Sequence, residues 1–316
     1  MRAVYIDRRD ADLDAEGGTL VLRVAGERIQ DLPLGPLERL VLRGPCRLTT
    51  RLLAALHERD IGLLVLGAKS GAPVARLFGR PHGDVRRRLA QLRRLDDAAA
   101  RLHLAKGVIR AKLAAQQRLL QELLAAERGE RRVLRTSHAR LEELAGRGDA
   151  AADVDTLLGL EGAASAAYFT ALQTAFAPAL GFRDRNRRPP RDPVNVVLSL
   201  GYTLLHHEAV QATHVAGLDP MVGALHAPAP GRESLACDLV EPLRPQIDRL
   251  ALELFHDRTL RADQFSRDGP ACRLGKAGRA AFYAAWEQRQ PAVARLLRRI
   301  AHRLARELLP DESAAA

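Results

Sequence analysis

The chain is short of the residues that would place it in an oxidising compartment, in a membrane or on a stack of bases. Only three of its 316 residues are cysteine. Cys46, Cys237 and Cys272 share no zinc-like spacing and leave one thiol over in any disulfide scheme, so they read as small buried hydrophobes in a reducing compartment. No apolar run approaches the roughly 18 to 20 residues that a membrane span requires, and Met1–Asp7 carries no signal-peptide core. The expectation is a soluble, cytoplasmic protein with no membrane partner. Aromatic side chains are scarce, at seven Phe, four Tyr and one Trp, too few for a platform on which single-stranded bases stack.

Positive charge is abundant. A formal net charge of +11 and a pI near 10.4 favour a polyanionic partner, and nucleic acid fits better than acidic lipid. The basic residues are almost all arginine, whose planar fork suits phosphate; a general composition bias explains the same excess. With few aromatics, binding is expected through backbone and shape.

Residues 1–80 read as strands separated by turns: Ala3 to Asp7, Thr19 to Val24, Arg28 to Leu32, Arg39 to Leu42, Gly62 to Leu66 and Val74 to Phe78, with Gly17-Gly18, Gly26 and Gly71 as punctuation and one short helix near Thr50 to Glu58. From residue 84 the period becomes helical, over Val85 to Glu127, Arg131 to Ala145, Asp153 to Ala175, Asp192 to Ala212, Glu233 to His256, Lys276 to Gln288 and Pro291 to Leu309. The expected fold class is α+β: a small, β-rich, sandwich-like domain over 1–80 followed by a larger all-α domain over 84–316. The breakers Gly79 to Gly83 form the linker.

Between two of the helices, Gly181 to Pro193 carries five arginines in a segment that three prolines keep irregular, so the guanidinium groups either track phosphates or face solvent. Asp192-Pro193 supplies a cap and first residue for the next helix, which anchors the loop.

Metal-ligand residue types stand isolated in apolar surroundings at Glu161, His226, Asp238 and Glu241. Glu161 falls on the stripe of Leu157, Ala164 and Tyr168, and a core-facing carboxylate needs a cation, an arginine or a hydrogen-bond network. Asp238 and Glu241 share a helix face at i and i+3, and His226 adds a nitrogen. Two or three carboxylates with one imidazole suit Mg²⁺ or Mn²⁺ better than a structural zinc. Each residue also has a plainer reading: His226 as the end of a short helix begun by Asp219-Pro220, Asp238 and Glu241 as partners of Arg232 or Arg244.

Five ordered motifs add to this reading: Glu161-Gly162-Ala163-Ala164 with Tyr168-Phe169, Arg185 to Arg187 running into Pro189-Pro190 and Asp192-Pro193-Val194-Asn195, Leu198-Ser199-Leu200-Gly201-Tyr202, Gly223-Ala224-Leu225-His226, and Ser234 to Pro245. Over residues 155 to 250 the chain closely resembles the CRISPR-associated Cas1 family of spacer-acquisition integrases and endonucleases, and weaker agreement extends over most of its length. Thr49-Thr50 stands where a serine is common. The resemblance implies a dimerising N-terminal domain and a helical catalytic domain. Its metal ligands would be Glu161, His226 and Glu241, with Asp238 beside them as a supporting or alternate ligand and Mn²⁺ or Mg²⁺ as cofactor. The implied reaction is attack by the 3′-hydroxyl of a captured DNA fragment on a repeat-boundary phosphodiester. The implied partners are double-stranded DNA, a second copy of the chain and a small ferredoxin-like adaptation protein. Arg185, Arg187, Arg188 and Arg244 are the phosphate-contact candidates, and Tyr168 lines the DNA path or sits in the core. The competing reading is a non-enzymatic helical DNA-binding scaffold whose acids make structural ion pairs.

Overall fold

The computed structural model describes residues 3–69, 71–78, 82–186 and 189–309. The chain forms two compact units, Met1–Gly83 and Asp84–Ala316. Of the expected linker, Gly79, Arg80 and Pro81 lie outside the described residues.

The first unit runs β1 (Ala3–Ile6), β2 (Ala11–Glu16), β3 (Thr19–Val24), β4 (Glu27–Pro33), β5 (Arg39–Arg43), β6 (Cys46–Leu48), α1 (Thr50–Glu58), β7 (Gly62–Leu66) and β8 (Pro73–Leu77). Two four-stranded sheets result, ordered β1-β5-β7-β8 and β4-β3-β2-β6. In the first, β1, β5 and β7 are parallel and β8 closes antiparallel. A single core draws on both sheets, with Ile6, Leu40, Leu42 and Leu63 from one, Leu13, Leu20, Leu22 and Leu32 from the other, and Leu52 and Leu56 from α1. The β2–β3 hairpin turns on Gly17-Gly18, both at positive φ, the backbone a tight hairpin demands. Strand β6 was absent from the sequence expectation, and so was strand β2. Its Ala11, Leu13 and Ala15 do point inward while Asp12, Asp14 and Glu16 point out, but alternation built on alanine and aspartate carries little strand preference. Thr49 caps α1 by accepting from Leu52 N at 3.1 Å and donates to Asp14 Oδ1 at 2.5 Å, so the hydroxyl performs the capping a serine would.

The second unit contains α2 (Val85–Asp96), α3 (Ala98–Ala125), α4 (Arg131–Asp149), α5 (Val154–Thr174), α6 (Pro193–Ala216), α7 (Ser234–Val240), α8 (Arg244–His256), the hairpin β9 (Phe265–Asp268) and β10 (Ala271–Leu274), and α9 (Lys276–Leu308). Helices α4 and α6 each run four residues past the expected end, and three breaks differ from expectation. The run from Val85 breaks at Asp97, whose carboxylate caps α3 through Ala100 N at 2.7 Å. The run from Glu233 is split by a 3₁₀ turn over Glu241–Leu243, because Pro242 and Pro245 lack the N–H groups a continuous helix would use. The last two expected helices are one, with Pro291 inside it; the buried stripe of Phe282, Trp286, Gln290, Val293 and Leu297 continues past the proline, and its packing outweighs one missing hydrogen bond. The β9–β10 hairpin had no counterpart in the all-α expectation. Among the described residues no helix is long and apolar enough to cross a membrane.

Asp192 caps α6 as expected, accepting from Asn195 N at 2.8 Å with Pro193 next. Helix α6 is the buried axis of this unit and packs on α7, α8 and α9. It comes so close to α8 at Gly201 that an added Cβ would lie 2.4 Å from Ile247 Cγ2. Gly201→Ala should therefore destabilise the chain by about 1–3 kcal/mol through overpacking, read as a lower thermal-unfolding midpoint. An unchanged midpoint would show that α8 yields freely.

Candidate metal centre

Glu161 sits one-third of the way along α5, whose first turn is fixed by Asp153 accepting from Thr156 N at 2.7 Å. Its Oε1 accepts from Ser165 Oγ, one turn on, at 2.7 Å, and from Lys112 Nζ. Lys112 projects from α3, its side chain only 5% exposed, and its ammonium also donates to Glu241 Oε2 at 2.6 Å. Glu241 opens the 3₁₀ turn after α7, and its other oxygen lies 2.9 Å from Arg244 Nε. Burial pushes the Glu241 carboxyl up, but the charges of Arg244, Lys112 and His226 prevail and hold it below the usual range. Carboxylates far apart in sequence thus meet at one ammonium.

His226 lies on an irregular segment between α6 and α7. The short helix of the plainer reading, begun by Asp219-Pro220, does not form. Instead Asp219 Oδ1 accepts from Met221 N at 2.8 Å and its carbonyl receives Val222 N, a turn closed by the aspartate itself. The segment is fastened from behind by Gln91 of α2, fully buried, which accepts from Asp219 N at 2.8 Å and donates to the carbonyls of Asp219 and Val222. Arg87 donates to Ala216 O and Arg101 to Ala224 O. In front stands Asp238 of α7, 2% exposed. Its Oδ2 accepts from Ala224 N at 2.6 Å and Leu225 N at 3.0 Å, and its Oδ1 accepts from His226 N at 3.0 Å and pairs with His226 Nδ1 at 2.7 Å. With a carboxylate oxygen as its partner, Nδ1 of His226 is the donor in this pair. Both oxygens of Asp238 are committed in this way to the Ala224–His226 backbone and the His226 ring. Gly223 is required for the approach, since a Cβ there would come 2.7 Å from the Ser234 carbonyl carbon and 2.8 Å from Asp238 Oδ2.

Among the described residues no three His, Cys, Asp or Glu side chains close together tightly enough to enclose a metal ion. The donors nonetheless fit one in kind. Two carboxylates and an imidazole backed by a third carboxylate are a set suited to Mn²⁺ or Mg²⁺, and the point between Glu161 and Glu241 already holds a cation, the Lys112 ammonium.

The other anticipated residues fall differently. Tyr168 is 1% exposed and donates from its hydroxyl to Asp248 Oδ2 at 2.7 Å, so it belongs to the core and does not line a DNA path. Arg185 donates to Asn195 Oδ1 at 2.6 Å and Ser199 Oγ at 3.0 Å. Its guanidinium lies 5.3 Å from the Tyr202 ring centre, and that of Arg244 lies 4.8 Å from it. Both arginines are thus engaged inside the protein and are poorly placed as phosphate contacts. Arg187 and Arg188 lie outside the described residues. The exposed arginines of this region are Arg183 and Arg191, which with Arg267 line a cavity of about 370 Å³ beside the start of α6.

Lys112, Gln91, Arg101 and Asp248 escaped the reading of the sequence. Lys112 had a signal: four of the 49 basic residues are lysine, and this one interrupts the buried stripe of Ala105, Ile109, Leu113 and Gln116 on α3. Asp248, fully buried, accepts from Tyr168 and Tyr202. Burial pushes its carboxyl up to about 6 against the opposing pull of the tyrosine hydrogen bonds and of Arg244 and Arg185.

Two consequences are measurable. Because folding raises the Asp248 pKa, the native state holds the proton more tightly, so stability falls as pH rises from about 4 to 6, by on the order of 2–3 kcal/mol. Denaturant unfolding at either end of that window should show the fall in the wild type and its loss in Asp248→Asn. For the His226 segment, Asp238→Asn replaces acceptor lone pairs by donors, and amide exchange at Ala224, Leu225 and His226 should quicken by about tenfold or more. Unchanged protection would mean that Gln91 and Arg101 suffice.

The comparisons with known proteins agree with this architecture. A family model described as CRISPR associated protein Cas1 matches residues 4–288. The "CRISPR-associated endonuclease Cas1 1" of Thermodesulfovibrio yellowstonii is 36% identical over 298 residues, covering 91% of each chain. Among solved structures, a Cas1 protein from Thermotoga maritima superposes with a TM-score of 0.85 at 23% identity, covering 99% of this chain and 98% of that one. A casposase bound to its integration product superposes at 0.82 and 22% identity, covering 97% and 91%. The arrangement of a strand-rich unit followed by a helical one is shared with relatives named as endonucleases, and the chain is an enzyme of that nuclease class. The chain belongs to the CRISPR-associated Cas1 family.

Proposed function

We propose that this chain is a divalent-metal-dependent DNA endonuclease and integrase of CRISPR adaptation, joining the 3′-hydroxyl of a captured duplex fragment to a repeat-boundary phosphodiester. The observation that carries the reading is the meeting of Glu161 and Glu241 on one cation, in the same unit as an imidazole whose tautomer a buried aspartate sets. In this reading Glu161, His226 and Glu241 hold Mn²⁺ or Mg²⁺, which when bound supplies Lewis-acid polarisation of the phosphoryl oxygen. The remaining work falls to the chain itself. Asp238 keeps the Nε2 face of His226 outward, and Arg244 holds Glu241 ionised. The exposed Arg183, Arg191 and Arg267 replace Arg185 and Arg244 as the phosphate contacts, with Arg187 and Arg188 as neighbours in sequence. The strand-rich unit pairs with a second copy of the chain, a small ferredoxin-like adaptation protein completes the assembly on double-stranded DNA, and the setting is the cytoplasm.

The Lys112 ion pairs are the one observation that favours a second reading, a DNA-binding scaffold whose acids are structural. Strand transfer separates the two. A labelled duplex with free 3′-hydroxyls is incubated with supercoiled plasmid and Mn²⁺ or Mg²⁺, with and without the cognate partner. The wild type should give a metal-dependent joined product, and Glu161→Ala, His226→Ala and Glu241→Ala should each lower it on the order of 100-fold while duplex affinity is kept. Arg183→Ala with Arg191→Ala should do the reverse, weakening binding and reducing the salt slope by about 0.9 for each phosphate no longer neutralised. A wild type that binds duplex but neither joins nor cleaves under any of these conditions would leave the scaffold reading.

A further inference from the structure

Lys112 has a role that the metal-site reading alone does not assign. Its ammonium touches both carboxylates that would ligate the ion, so a divalent ion and the ammonium compete for one place. Two positive charges at such separations in a partly buried site repel strongly, and the site offers the carboxylate charge for one of them. Burial alone does not trap the ammonium there. The side chains of Glu161 and His226 are 23% and 25% exposed, so the cluster is open to solvent on one side while Lys112 itself enters from α3. The residue type matters as well. In a chain whose basic residues are nearly all arginine, the side chain at this point is a lysine, a compact charge on a flexible stem, where an arginine would grip the carboxylates through a rigid fork and be harder to dislodge.

We propose that Lys112 is a resident cation that closes the Glu161–Glu241 pair in the absence of metal and is displaced by the divalent ion, so that metal loading is an exchange of cations. The proposal rests on the reading that these carboxylates and His226 form the metal site. It assigns Lys112 two effects: it holds the carboxylates together in the metal-free protein, sparing them unpaired burial, and it lowers the affinity of the site for metal. Once displaced, the ammonium stands at the edge of the metal site.

The test is Mn²⁺ binding, followed through the free-ion paramagnetic resonance signal, to the full chain as wild type, Lys112→Met and Lys112→Arg, together with thermal melting of each in EDTA and in saturating Mn²⁺. Lys112→Met should bind Mn²⁺ at least about tenfold more tightly than wild type and melt lower in EDTA, with the deficit closing in Mn²⁺; Lys112→Arg should bind more weakly than wild type. Equal or weaker binding by Lys112→Met overturns the exchange and leaves the site assignment standing. No site-specific Mn²⁺ binding by the wild type or either variant overturns the site assignment and this proposal together. Should Lys112→Met fail to fold, the wild type answers alone: by acetic anhydride labelling and mass spectrometry, Lys112 should be protected in EDTA and react several-fold faster in saturating Mn²⁺. Protection that persists in Mn²⁺ overturns the proposal.

Discussion

Two carboxylates brought together in a partly buried site need positive charge between them, and the geometry of the helical unit serves that need. Glu161 arrives on α5 and Glu241 on the turn after α7, and without a cation their repulsion and desolvation would oppose the packing of those elements. Lys112 provides the charge from α3, and Arg244 adds a second on the far side of Glu241. The supports lie further out. Pro242 and Pro245 break what would be one helix and so turn Glu241 toward Lys112. Gly201 lets α8 approach α6 closely enough to seat that turn.

The imidazole is positioned by a separate device with the same economy. A segment without regular structure carries His226, and the backbone donors of Ala224, Leu225 and His226 end on one buried aspartate. Gln91 and Arg101 grip its carbonyls from α2 and α3. Irregular backbone held by side chains in this way is as defined as a helix, and it can be placed where a helix would not fit. On α8, Asp248 collects two tyrosine hydroxyls, and Arg185 and Arg244 lie over the Tyr202 ring. Arg185 and Arg244, two of the arginines that looked available for DNA, are therefore the cover of a buried polar network.

Much of this was legible in the residues. The division into strand-rich and helical parts followed from the change of hydrophobic period, and the Asp192-Pro193 cap of α6 was read directly. Glu161, His226, Asp238 and Glu241 stood out because acids and an imidazole in apolar sequence are costly without partners. What could not be read were the partners, since Lys112 and Gln91 approach from helices that only tertiary packing brings near. The exposed placing of Arg183 against the enclosed placing of Arg185, two positions apart, likewise depends on Asn195 and Ser199 across a loop. Strand β2 and the β9–β10 hairpin were missed for a local reason: short segments rich in aspartate, arginine and alanine form strands here only because a neighbouring strand pairs with them.

The metal centre is tested most directly by a crystal structure of the protein soaked in Mn²⁺, with anomalous diffraction collected at the manganese edge. The expected result is a single strong anomalous peak within coordination distance of Glu161, Glu241 and His226 Nε2, with Asp238 still on His226 Nδ1 and the Lys112 ammonium moved off the carboxylates. A fully soaked crystal with no peak at that point, and Lys112 still joining Glu161 to Glu241, would contradict it.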